Sequence, residues 1–117
     1  MIIVDDLVVG LGCYKTGCNE VAKLPVLEPG NTHSWYVYVV QTKNRLGLQT
    51  YLHDNGIMTN IHYARPVHTQ PAYEKWYRPC PITEQACEEI LSIPCWIGMT
   101  DAQVDYVADS ILKWSRK

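Results

Sequence analysis

Residues 34–41 carry apolar or aromatic side chains at both parities of a strand. Trp35, Val37 and Val39 would point to one face, and Tyr36, Tyr38 and Val40 to the other. A strand with two apolar faces needs cover on both sides, so this one is expected inside a sheet. The rest of the chain must supply neighbouring strands and elements to lay on them.

The second strong signal lies near the C-terminus. Thr100 and Gln103 have the spacing of a capping box, and Val104, Val107, Ala108, Ile111 and Leu112 then recur on one helical face. Residues 43–55 predict another helix, with Leu48 and Leu52 on one side and Asn55-Gly56 as its stop. Pro81 opens a further helix, with Thr83 as its candidate N-cap, Glu84 near the positive end of the dipole, and Ala86, Ile90 and Ile93 on its apolar side. Residues 2–9, 57–63 and 91–96 read as strands, the last of them short and near Pro94. Residues 11–19 and 23–31 read as turn and loop. The order strand, strand, helix, strand, helix, strand, helix gives an α+β fold: a small, mostly antiparallel sheet with three helices packed against it.

A length of 117 residues fits one domain. With 47% hydrophobic residues, such a chain builds a packed core without disulfide staples. The ten Lys and Arg are scattered and the net charge is -2, which disfavours nucleic-acid binding. No stretch is long enough to span a membrane, and residues 1–10 lack the basic region and cleavage signal of a secretory leader. Five cysteines without a CxxC pattern suggest free thiols in a reducing compartment, and their spacings do not match those of zinc sites. Cys87 is expected on the apolar side of its helix and Cys95 in a strand, each as a small hydrophobe. A cytoplasmic protein is expected.

Two short motifs carry little. Gly10 and Gly12 follow a strand, but no helix long enough to hold a phosphate comes before Pro25, so a plain turn is read. Ser110 and Lys113 have the Ser-x-x-Lys spacing of acyl-enzymes but lie near the end of the final helix, with none of the companion motifs. His33 precedes a strand, and His53 is expected to be solvated. Residues 62–73 are different. They hold two histidines, two tyrosines, an arginine and two prolines, with neither a helical nor a strand period. His62 and His68 either bond the loop's own backbone and pack on Pro66 and Tyr73, or face a ligand; clusters of this kind on loops lean towards function.

Several blocks together resemble one family. They are Leu24-Pro-Val-Leu-Glu-Pro-Gly-Asn-Thr-His-Ser-Trp-Tyr-Val-Tyr-Val-Val40, Tyr51-Leu-His-Asp-Asn-Gly-Ile-Met-Thr-Asn-Ile-His-Tyr63 and Pro66-Val-His-Thr-Gln-Pro-Ala-Tyr73. The run continues through Pro81-Ile-Thr-Glu-Gln-Ala-Cys-Glu-Glu-Ile-Leu-Ser-Ile-Pro94 and Thr100-Asp-Ala-Gln-Val-Asp-Tyr-Val107. In order and spacing these resemble the C-terminal small domain of the DegT/DnrJ/EryC1/StrS sugar aminotransferases, which depend on pyridoxal phosphate. Residues 24–117 carry the resemblance, and residues 1–23 form a non-family segment.

The resemblance implies a small α+β domain like the C-terminal domain of fold-type I pyridoxal phosphate enzymes. It implies a dimeric enzyme that moves an amino group from glutamate to a keto sugar on a nucleotide. His62, Tyr63 and His68 are implied on the substrate side of that site, with no catalytic, cofactor-binding or metal role. The cofactor lysine, its acidic partner and the phosphate cradle belong to the family's large domain. None of the six lysines here stands in such a motif. The expectation is a detached, catalytically incomplete domain, truncated or recombined, that binds no cofactor alone. Its N-terminal strand would patch apolar surface, and the chain would form a homo-oligomer. The alternatives are a nucleotide-sugar binding module, or one half of a split aminotransferase that assembles with a separate cofactor-binding domain.

Overall fold

A computed structural model describes residues 21–116. The strand expected at residues 2–9 and the turn at Gly10 and Gly12 lie outside the described residues. Within them the elements are β1 (Tyr38–Gln41), α1 (Arg45–Asp54), α2 (Pro81–Glu89), β2 (Ile90–Ile93) and α3 (Asp101–Ser115). Two short 3-10 helices, Val67–Thr69 and Pro71–Trp76, lie between α1 and α2. This is the expected α+β architecture with three α-helices.

β1 and β2 pair antiparallel, with Tyr38 opposite Ile93 and Val40 opposite Leu91. An antiparallel bridge continues the sheet at each side, Lys23 to Gln41 next to β1 and Asn60 to Ser92 next to β2. β1 is thus flanked on both edges, although only β2 pairs with it over any length.

The first strand is shorter than its sequence suggests. Trp35 has φ of 48°, in the left-handed region that bulky residues avoid. Its N–H donates to His33 Nδ1 at 2.8 Å, and the two rings stack with centroids 4.2 Å apart. That local turn takes Trp35 out of the ladder, so the strand starts at Tyr38. The cover is also one-sided. Tyr38 and Val40 are buried, whereas Val39 and Gln41 are half-buried and Tyr36 is exposed.

A second correction concerns residues 57–63. Only Asn60 pairs with the sheet. The Asn60 side chain accepts the N–H of Ile61 at 2.8 Å, a local bond that competes with a regular ladder. β2 ends at Ile93 because Pro94 has no N–H to continue it. Cys95, expected in that strand, lies just beyond it. It is half-buried, its Sγ donates to the Trp35 carbonyl at 3.5 Å, and burial pushes its thiol pKa up.

α1 and α3 follow their signals closely. In α3, the Thr100 side chain accepts from Gln103 N–H, and the Gln103 side chain accepts from Thr100 N–H. Val104, Val107, Ala108 and Ile111 are buried. Asn44 caps α1 through the N–H of Gly47. A Cβ at Gly47 would come within 2.7 Å of the Asn44 side chain, so the cap needs glycine there. At the other end, Gly56 N–H donates to the His53 carbonyl and Ile57 N–H to the Leu52 carbonyl, both at 2.9 Å. Gly56 has φ of 74°, which completes a Schellman stop.

α2 departs from expectation at its start. Cys80, not Thr83, occupies the N-cap position, and Pro81 is the first helical residue. Thr83 falls inside the first turn. Ile90 and Ile93, expected on the apolar side of this helix, lie instead in β2, because the helix ends at Glu89. Ala86 and Cys87 are only half-buried, and no residue of α2 is fully buried. The main core lies instead between the sheet, α1 and α3, where Leu48, Leu52, Leu91 and Ile111 are essentially inaccessible.

Candidate functional site

The segment from Asn60 to Cys80 crosses from the edge of β2 to the start of α2, and it holds all three expected site residues. His62 is fastened to the sheet. Its Nδ1 lies 2.8 Å from Ser92 Oγ on β2, and its Nε2 lies 3.3 Å from the Asn60 side-chain nitrogen. The backbones of Asn60 and Ser92 exchange two further bonds, at 3.0 and 2.7 Å. Tyr63 follows across a cis peptide bond. Its ring meets the His62 ring edge-on, with centroids 5.5 Å apart, and is 70% exposed.

His68 sits in the first 3-10 helix and is tied to α2. Its Nε2 lies 2.9 Å from Glu84 Oε1, and its ring stacks on Tyr77 at 5.8 Å. The same Glu84 oxygen accepts the Cys80 N–H at 3.0 Å. One carboxylate therefore joins the middle of the loop, its end and the first turn of the helix. The bond from His68, then that from Cys80, holds the Glu84 carboxyl below the usual carboxylate range. Within the loop, Thr69 Oγ1 donates to the Pro66 carbonyl at 2.9 Å, and Tyr73 N–H to the Gln70 carbonyl at 2.9 Å.

The structure thus gives the two histidines contacts more specific than loop backbone. Both imidazoles bond side chains on regular elements, and Tyr63 is left facing outward. Sequence reading missed Asn60, Ser92, Tyr77 and the side-chain role of Glu84. Ser92 does carry a signal, as a polar residue within an apolar strand. Asn60 lies two residues before His62, on the same side of an extended segment.

Beyond this loop, Val67, Tyr73, Trp76 and Tyr77 are substantially exposed, and the Lys75 ammonium lies 4.2 Å from the Trp76 ring centroid. A separate apolar groove of about 780 Å³ runs between Met58, Trp96, Met99 and Tyr106. Ser110 is buried, with its hydroxyl donating to the Tyr106 carbonyl at 2.7 Å, while Lys113 is exposed. The Ser-x-x-Lys spacing therefore serves helix packing.

A pyridoxal phosphate site needs an enclosed lysine. Lys23, Lys43, Lys75 and Lys113 are the lysines among the described residues, and all four are exposed. The described residues do not fit the cofactor.

The family match supplies the class to which this α+β fold belongs. The DegT/DnrJ/EryC1/StrS aminotransferase family profile matches residues 10–112, and the chain belongs to that family. Among its relatives, a dTDP-3-amino-3,6-dideoxy-α-D-galactopyranose transaminase of Aneurinibacillus thermoaerophilus is 34% identical over 97 residues, which cover 82% of this chain and 27% of the relative. A dTDP-3-amino-3,4,6-trideoxy-α-D-glucose transaminase of Streptomyces venezuelae is 32% identical over 80% of this chain and 26% of the relative. The crystal structure of a DegT DnrJ EryC1 StrS aminotransferase from Brucella abortus superposes with a TM-score of 0.90 at 28% identity. The match covers 97% of this chain and 31% of that one. The chain thus spans about a quarter to a third of the length of the relatives it matches.

Proposed function

We propose that this chain is the C-terminal small domain of a nucleotide-sugar aminotransferase and supplies a substrate-side wall without the catalyst. Residues 24–117 are assigned to the domain, and of the leading residues 1–23 the family match takes in those from residue 10 on, with Lys23 bridged to Gln41 of β1. His62, Tyr63 and His68 mark the wall. The observation that carries the reading is the fastening of this loop, through His62 to β2 and through His68 to α2, with Tyr63 left exposed. A preorganised loop loses less conformational entropy when a ligand binds. The names of the two transaminase relatives point to a sugar on a nucleoside diphosphate as that ligand.

On this reading the chain alone does not transaminate. The exposure of the four described lysines supports that, since a covalent cofactor lysine works in an enclosed site. Amino transfer on this reading needs a large domain that carries the cofactor lysine. Exposed Tyr36, Met58, Ile82 and Ile97 support association, either with a second copy or with such a large domain. Cys80, Cys87 and Cys95 are free thiols, which supports a reducing, cytoplasmic setting.

The test is the purified chain mixed with pyridoxal phosphate and glutamate. No saturable cofactor absorbance and no 2-oxoglutarate release are expected. Stoichiometric covalent cofactor with turnover would overturn the claim of incompleteness.

A further inference from the structure

Asn60 and Ser92 do more than pair two backbones. Asn60 Oδ1 accepts the Ile61 N–H at 2.8 Å, which fixes the orientation of the amide. Its NH₂ group then lies 3.3 Å from His62 Nε2. An amide NH₂ only donates, so Nε2 must present its lone pair. A neutral imidazole with an accepting Nε2 carries its proton on Nδ1. That nitrogen lies 2.8 Å from Ser92 Oγ, so Nδ1–H donates to the hydroxyl. Ser92 itself is buried, with its backbone N–H and carbonyl both taken by Asn60.

We propose that Asn60 and Ser92 are positioning residues that lock His62 in its Nδ1–H tautomer and set the plane of its ring. The locked ring fixes Tyr63, which packs edge-on against it. Nε2 has one lone pair and the Asn60 amide takes it, so a ligand donor such as a sugar hydroxyl reaches Nε2 only by displacing that amide, and an anionic phosphate oxygen finds no donor there. The ligand part of this inference rests on the proposed substrate-side wall, whereas the tautomer does not.

The experiment is nitrogen NMR of the full chain labelled at histidine, at a pH where the imidazoles are neutral. Loss of signals in His62→Gln assigns the ring. The wild type should show a protonated Nδ1 and an unprotonated Nε2 at His62. Asn60→Asp should reverse the pattern, because a carboxylate oxygen facing Nε2 must accept, and the Ser92 hydroxyl then donates to Nδ1. A merely structural Asn60 would leave the tautomer unchanged. A protonated Nε2 in the wild type, or an unchanged tautomer in a folded Asn60→Asp variant, would overturn the proposal. The wild-type spectrum decides alone if that variant does not fold. No ligand is present in the experiment, so failure of nucleotide-sugar binding in a separate titration is distinguishable from failure here.

Discussion

His68 Nε2 and Glu84 Oε1 lie 2.9 Å apart, joining a loop to a helix that starts 13 residues further on, at Pro81. The bond makes loop docking depend on pH. Bonds from His68 and from Cys80 N–H favour the charged form of Glu84, so its folded pKa lies below the ordinary 4.5. Their contribution is complete above that ordinary value and is lost as pH falls through the depressed one. Glu84→Gln should therefore flatten part of the fall in melting temperature below pH 4.5. Glu89, also held low, by Gln85 and Gln41, retains its own share. Melting curves across the acid range check this, and identical acid slopes for wild type and variant would count against it.

The capping box of α3 predicts a second effect. Thr100→Ala removes the acceptor for Gln103 N–H. The expected loss is about 1 kcal/mol, read as a lower urea midpoint with an unchanged slope.

The Schellman stop of α1 predicts a third. Gly56 has open space for a Cβ, so any cost of Gly56→Ala comes from its φ of 74°. About 1–2 kcal/mol of destabilisation is expected. A neutral substitution in equilibrium unfolding would show that the turn relaxes.

The core predicts the largest change. Leu52 is fully buried among the sheet, α1 and α3. Leu52→Ala should cost about 2–5 kcal/mol in denaturant unfolding. A smaller loss would mean that the core collapses around the cavity.

The sequence makes some of this legible and hides the rest for physical reasons. The caps at Thr100 and Gly56 were readable because their partners lie within one helical turn. The α+β class followed from the same local signals. The shortening of β1 was not readable, because the His33–Trp35 turn competes with strand propensity by a local bond. Residues 62–73 stood out by composition alone. Their anchors did not, since Ser92 lies 30 residues from His62 and Glu84 lies 16 from His68. Such pairings are made by the tertiary fold. Thr83 failed as a cap because Pro81 already occupies the first helical position.

The central claim, a substrate-side wall at His62, Tyr63 and His68, is tested most directly by calorimetric titration of the purified chain with dTDP- and UDP-sugars. Tyr63→Phe keeps the ring and removes the hydroxyl, and His68→Ala releases the loop from Glu84. Saturable heat is predicted for the wild type, about tenfold weaker in Tyr63→Phe through loss of a hydroxyl bond to the ligand, and weaker in His68→Ala. Absence of heat at millimolar ligand, or equal affinity in all three proteins, would contradict the account.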